Sequence, residues 1–360
     1  MDYALLTLYG SFESVKSSRP WMPRAFHQYI LGIMPPETFR VPGGFIHGAG
    51  EGCIVVAPAT RDMMARSPAK RVSRALERGT AELRRMAPSH VAIDPVLPDD
   101  ARSPAWLSGS TVAAAGLLKA FEQAFSMTSA KRLAGYEIAV IGTAFHETVA
   151  LAECLSETVR GVNLAGGKPA ALERLASDFW RHAGVASRIH KSRARACSRS
   201  RIVLVAGPLA GEHAGAGIRD DSPDDSRNYA RDGSHDDAGS VPLPLNPGSV
   251  LVDLRFYRRL PAAYAAGYLA YGEPVVIQSP VLETPQPLSA PVGLEPPAFS
   301  SLVEAALAST SPDMTGLSRP SARDLRRIQK ALEKRGVEAT SVWNTRNMMP
   351  LDSLSTQIRM

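Results

Sequence analysis

The sequence predicts an α/β protein: an N-terminal α/β domain, then a Rossmann-like domain with a mostly parallel sheet and helices on both faces. Three observations predict it. Short β-branched runs recur through the second half, at Ile138 to Ile141, Val162 to Ala165, Ile202 to Ala206, Val250 to Leu254 and Val275 to Ile277. Helical or loop segments separate the first four, and strands that alternate with helices build parallel sheets buried on both faces. The stretch ending in Val140-Ile141-Gly142 leads straight into helix-like sequence, as a strand delivers the chain to the phosphates of a dinucleotide.

The N-terminal part reads more faintly. Tyr3 to Tyr9 is apolar and strand-like, and Gly50 to Ala57 gives a second candidate strand after a Gly/Pro-rich turn. The residues between them show little periodicity. From Thr60 to Met86 the pattern is helical, with Arg-rich polar faces and apolar Met64, Val72, Ala75 and Leu83. Val91 to Ile93 is a third strand, and Pro95 to Pro104 a loop. The expected division is an N-terminal domain over 1–105, a Rossmann-like domain over 106–280, C-terminal helices packing back between them over 281–340, and a tail over 341–360.

Composition narrows the function classes. With 360 residues, 44% hydrophobic and 21% charged, the chain can bury more than one core. Its net charge of +6 would suit an anionic ligand, but the basic residues are scattered and no nucleic-acid docking motif is present. Cys53, Cys154 and Cys197 have neither disulfide nor metal-site spacing, which fits a reducing cytoplasm. No apolar run approaches the roughly 20 residues of a membrane span, so an integral membrane protein is not expected. The Asp-, Ser- and Gly-rich stretch Gly211 to Pro247 is too poor in apolar residues to order itself and reads as a disordered insertion. Its Asp clusters lack the ligand spacing and closing Glu of an EF-hand, and no metal site is expected.

Several segments occur together in an order that resembles a known family. EGCIVVAPATRDMMARSPAKRVSRALERGTAEL, WLSGSTVAAAGLLKAFEQAF, EIAVIGTA, RIVLVAGPLAG, VLVDLRF and PAFSSLVEAAL are collinear with the aldehyde-forming long-chain acyl-(acyl carrier protein) reductases, and the two ends are similar to theirs as well. The resemblance implies an N-terminal α/β domain packed on a Rossmann domain that binds NADPH, and reduction of an acyl thioester to an aldehyde.

The departures from that family fall where its chemistry lies. The family's glycine-rich turn lets the backbone approach a diphosphate. Here the turn reads Gly142-Thr143-Ala144-Phe145-His146-Glu147, with the first glycine kept and a carboxylate near the helix start. Gly142, Thr143 and His146 are the candidate phosphate-side residues. Gly166 and Lys168, after the second strand, are the candidates for the ribose end; a lysine without an acid there favours NADPH over NADH, if a cofactor binds. The resemblance puts an acyl-accepting cysteine where this chain has Ser301, with Glu304 one turn further along the same helix face. The stretch Ser108 to Val112 matches a turn that opens the family's linking helix near cofactor and substrate, which makes Ser110 a cofactor-side candidate and Thr111 a catalytic one; the same hydroxyls suit a helix N-cap.

Two readings remain open from sequence. One is a non-catalytic or altered-chemistry relative that uses the scaffold to bind a partner, an acyl carrier or a small ligand. The other is an NADP-dependent oxidoreductase that reduces a carbonyl or acyl substrate without the cysteine. The pattern leaves room for self-association and does not name the substrate.

Overall fold

A computed structural model describes residues 1–22, 27–31, 33–61, 63, 69–97, 103, 105–128, 133, 135–207, 245, 248–254, 275–288, 293–315, 317, 319–343 and 347–359. The insertion expected at 211–247 lies almost wholly outside them, as does Met64.

The first sheet has the order β2-β3-β1-β4, built from β1 (Tyr3–Tyr9), β2 (Glu37–Val41), β3 (Gly52–Thr60) and β4 (His90–Ile93). β1, β3 and β4 run parallel, while β2 pairs antiparallel on the edge. Every residue of β1 and β3 is buried, so the two central strands carry no polar alternation. β2 alternates half-buried and exposed positions at its edge, and sequence periodicity missed it. The helical pattern before Met86 appears as helix α3 (Ala69–Met86), after the short helices α1 (Phe12–Ser18) and α2 (His27–Leu31).

The second sheet contains β5 (Glu137–Ile141), β6 (Gly161–Ala165), β7 (Ser187–Ile189), β8 (Ile202–Val205), β9 (Val250–Val252) and β10 (Val275–Ile277). All pairings are parallel, and the order is β10-β9-β8-β5-β6-β7. In order of appearance that is 6-5-4-1-2-3, the arrangement of doubly wound dinucleotide-binding sheets. Side chains alternate strictly between two cores. Ile138, Val140, Val162, Leu164, Ile202 and Leu204 join the main core, whereas Ala139, Ile141, Ala165, Val203, Val205 and Leu251 form a second one with Ala196 and Cys197. A strand covered on both sides has no polar face, which is why these runs read as almost wholly apolar, Asn163 in β6 being the exception.

Helices α4 (Ser110–Ser126), α5 (His146–Ser156), α6 (Pro169–Ala183) and α7 (Arg193–Cys197) follow the strands, and α8 (Pro296–Thr310), α9 (Ala322–Lys334) and α10 (Leu351–Arg359) lie toward the C-terminus. α4 and α8 are buried on nearly every side, as expected of helices enclosed between layers. α8 packs on β1, β4 and α4, joining the first sheet to the linking helix. The stretch expected to be a tail is structured. β13 (Met348–Pro350) extends an antiparallel sheet with β11 (Ser279–Glu283) and β12 (Glu338–Trp343), and α10 packs on α4. Backbone carbonyls of α10 accept from the Tyr136 hydroxyl at Ile358, 2.7 Å, and from Arg201 at Gln357, 2.6 Å.

Candidate functional site

β5 and β8 lie side by side in the middle of the sheet, and the chain leaves them in opposite directions; in open α/β sheets ligands bind at such a switch point, beyond the carboxyl ends of the strands. Gly142 follows β5 with φ +93°, in the left-handed region. A Cβ there would sit 2.5 Å from both Cα and N of Gly207, which follows β8. Backbone packing between the two strand ends therefore demands glycine whether or not a ligand is present. The Gly142 N–H donates to Ala165 O and the Phe145 N–H to Ala206 O, each at 2.8 Å. These two of the turn's amides are engaged within the fold.

Helix α5 starts at His146, and its N-cap, Phe145, provides no side-chain acceptor. Glu147, in the first turn, accepts a hydrogen bond from the Ser110 hydroxyl at 2.8 Å. A carboxylate already stands at the helix end that would receive a diphosphate. Burial, reinforced by Arg319, lowers the pKa of His146 and outweighs the opposing effect of Glu147. At neutral pH the ring is uncharged, so it contributes no cation to an anion on this turn.

The helix-opening stretch at 108–111 differs from the expected cap. The N-cap of α4 is Gly109, at φ +77° and without a side-chain cap. Ser108 and Ser110 bond to each other instead, Oγ to Oγ at 2.9 Å. Because Glu147 is an acceptor, Ser110 donates to it and Ser108 donates to Ser110. Ser301 Oγ donates to Ser108 O at 2.8 Å and lies 3.2 Å from Pro297 O, and a Cβ on Gly109 would come within 2.5 Å of Ser301 N and Oγ. The structure thus brings Ser301, Ser110 and the phosphate-side turn into one connected chain of polar groups across α8, α4 and α5. Thr111 is buried inside α4, and Glu304 is buried on α8 one turn beyond Ser301.

Ser301 has no solvent-exposed surface, and among the described residues no basic side chain bonds its hydroxyl. A serine becomes a nucleophile only when a base takes its proton; here the proton points at a carbonyl. The cysteines offer no substitute. Burial pushes Cys53 up to about 11, and Cys154 and Cys197 up to about 12, which leaves them as thiols at neutral pH.

At the end of β6, Gly166 has φ +77°, and a Cβ on it would lie 2.7 Å from Arg193 Nε. Arg193 thus lies over Gly166, near where a ribose-reading residue acts in such folds; Lys168, two residues after Gly166, is the exposed N-cap of α6. Sequence reasoning missed Arg193 because it belongs to the next β–α unit.

A second cluster was also missed. Asp94, fully buried after β4, accepts from Thr7 Oγ1 at 2.7 Å and from Arg61 Nη2 at 2.8 Å; Arg61 also pairs with Glu295, the N-cap of α8. Arg61 and Asp94 each follow an apolar strand directly. Position after a parallel strand was the one signal that could have found them.

Among the described residues no group of His, Cys, Asp and Glu could hold a metal ion, and no helix is long and apolar enough to cross a membrane. No protein-family model matches the chain, and no curated protein does. Solved structures give low-scoring likenesses over most of the chain. Shikimate dehydrogenase from Aquifex aeolicus is 9% identical, with 91% of this chain and 96% of that one covered and a TM-score of 0.33. Quinate dehydrogenase from Corynebacterium glutamicum, solved in complex with NAD, is 13% identical over 92% and 99%, also at 0.33. L-tryptophan dehydrogenase from Nostoc punctiforme is 10% identical over 93% and 89%, at 0.29. The Rossmann-like assignment rests on the strand order and parallel pairing described above.

Proposed function

We propose that this chain is an altered relative of the acyl-(acyl carrier protein) reductases that binds a small ligand, an acyl carrier or a partner on a Rossmann scaffold, without covalent acyl transfer. The observation that carries this reading is the state of Ser301: fully buried, donating to Ser108 O, and without a basic partner among the described residues. The phosphate-side turn supports it. Glu147 stands at the mouth of α5 and two turn amides are engaged with neighbouring strands, so the turn does not fit a diphosphate.

The test combines two measurements on the purified protein. A ligand that binds only the native state raises the melting temperature, so titration with NADPH and NADH reads dinucleotide binding directly. Incubation with a long-chain acyl thioester, followed by intact-mass measurement, reads acyl transfer. No acyl adduct and no thermal shift are expected; an adduct on Ser301 would overturn the proposal.

A second reading is favoured by Arg193 and Lys168 at the end of β6: an NADP-dependent oxidoreductase acting on a carbonyl without the family cysteine. Micromolar NADPH binding, weakened by Lys168→Gln/Arg193→Gln, would favour this reading over the first.

A further inference from the structure

The edge strand β7 ends in a basic hollow that the dinucleotide question does not involve. After Ile189 the chain passes through His190-Lys191-Ser192 into α7, and these residues line an open depression together with Arg195 on the helix. Lys191 and Arg195 are exposed and form no ion pair among the described residues. Arg188, just upstream, is held by Glu137 at 3.1 Å.

His190 is fixed in one tautomer by a network that reaches under the sheet. Asn163 Nδ2 donates to Glu137 Oε2 at 2.9 Å and to Ser200 Oγ at 3.0 Å; Ser200 itself donates to Ala196 O. With its amide nitrogen so committed, Asn163 presents Oδ1 to His190 Nε2 at 2.8 Å. Nε2 must carry the proton, and Nδ1 of the neutral ring is left as an acceptor that gains a proton when an anion arrives. The ring titrates below its ordinary range because of burial first and then Arg199, Arg195 and Arg188, with Glu137 opposing.

We propose that this hollow is a binding site for a phosphate group. The residues that line it supply a guanidinium fork from Arg195, an ammonium from Lys191 and a hydroxyl from Ser192. That donor set suits three acceptor oxygens around one centre better than the two of a carboxylate. The hollow also lies beyond the carboxyl end of a parallel strand, where α/β sheets receive ligands. Arg193 points away from it toward Gly166, so the site is separate from the ribose end of the switch-point cleft and does not rest on the function proposed above.

The test follows the His190 ring by 15N NMR while the protein is titrated with inorganic phosphate, ribose 5-phosphate and 2′,5′-ADP at matched ionic strength, with sodium chloride and acetate as controls. Each charge-assisted hydrogen bond lost should weaken binding roughly 10-fold or more, so Lys191→Gln/Arg195→Gln should shift the midpoint by at least that factor. Both side chains are exposed, so this variant should melt like the parent. A saturable His190 response to a phosphate probe, weakened in the variant, supports the site. Tighter binding of 2′,5′-ADP than of ribose 5-phosphate identifies a nucleotide as the source of the phosphate, and equal binding identifies a free phosphate or simple ester. No saturable response to any phosphate probe, an equal response to chloride or acetate, or unchanged affinity in the variant would overturn the proposal.

Discussion

Replacing Gly142 with alanine isolates what the turn after β5 does for the fold. An L-residue held in the left-handed region costs about 1–2 kcal/mol. The added methyl would also sit 2.5 Å from Cα and N of Gly207 and 3.0 Å from the Ala206 carbonyl carbon, all backbone atoms that cannot rotate aside. Overpacking of this kind costs about 1–3 kcal/mol, so Gly142→Ala should destabilise the protein by roughly 2–5 kcal/mol. Gly207→Ala brings its methyl to 2.9 Å from Gly142 Cα and has no positive-φ penalty, so its loss should be smaller. The two share one contact, and the double variant should lose less than the sum. Urea unfolding followed by circular dichroism measures all three, with the slope against denaturant expected to stay constant. A Gly142→Ala loss below about 0.5 kcal/mol, within the range of ordinary surface changes, would refute the idea that strand-end packing selects this glycine.

Three further outcomes are expected. Glu147→Gln keeps an acceptor for Ser110 but removes the charge that offsets the helix dipole, and should lower stability by about 0.3–1 kcal/mol, measured by urea unfolding. Ser301→Ala removes a buried hydrogen bond and should lower stability by about 1 kcal/mol while leaving any turnover of the protein unchanged, and complete loss of turnover would mark Ser301 as a nucleophile. Cys53, Cys154 and Cys197 have folded pKa values raised from 9.0 to about 11, about 12 and about 12, so their contribution to stability is full below pH 9.0 and is lost as pH rises through the folded values. Thiol labelling of the native protein at pH 8 should accordingly be slow and become rapid in urea.

The six-stranded parallel sheet was legible because its central strands are buried on both faces. The run Ile138 to Ile141 falls within one residue of β5, and the later runs within two of their strands. β7 was not read, since two of its three residues are exposed and it has no apolar run. The site was only partly legible, for a different reason. Gly142 and Ser301 could be picked out by their positions in local patterns. The chain from Ser301 through Ser108 and Ser110 to Glu147 joins residues far apart in sequence, and so does the pairing of Arg61 with Asp94. Such contacts carry no local period. The cap of α4 was misassigned to a hydroxyl because Gly109, held by the close approach of α8, takes the place that Ser or Thr fills in freer helices.

The bond from Ser110 to Glu147 bears on how the fold holds together when no nucleotide is bound. In a nucleotide-dependent enzyme the positive end of the phosphate-side helix is satisfied by the bound anion, and the empty form is correspondingly easier to open and to digest. Here the chain brings its own negative group to that end, tied down from a neighbouring helix. On the function proposed above, survival of the folded molecule is uncoupled from nucleotide supply: its lifetime toward proteases should be the same in starved and replete cells. A lineage carrying this contact could lose the cofactor altogether without losing the protein.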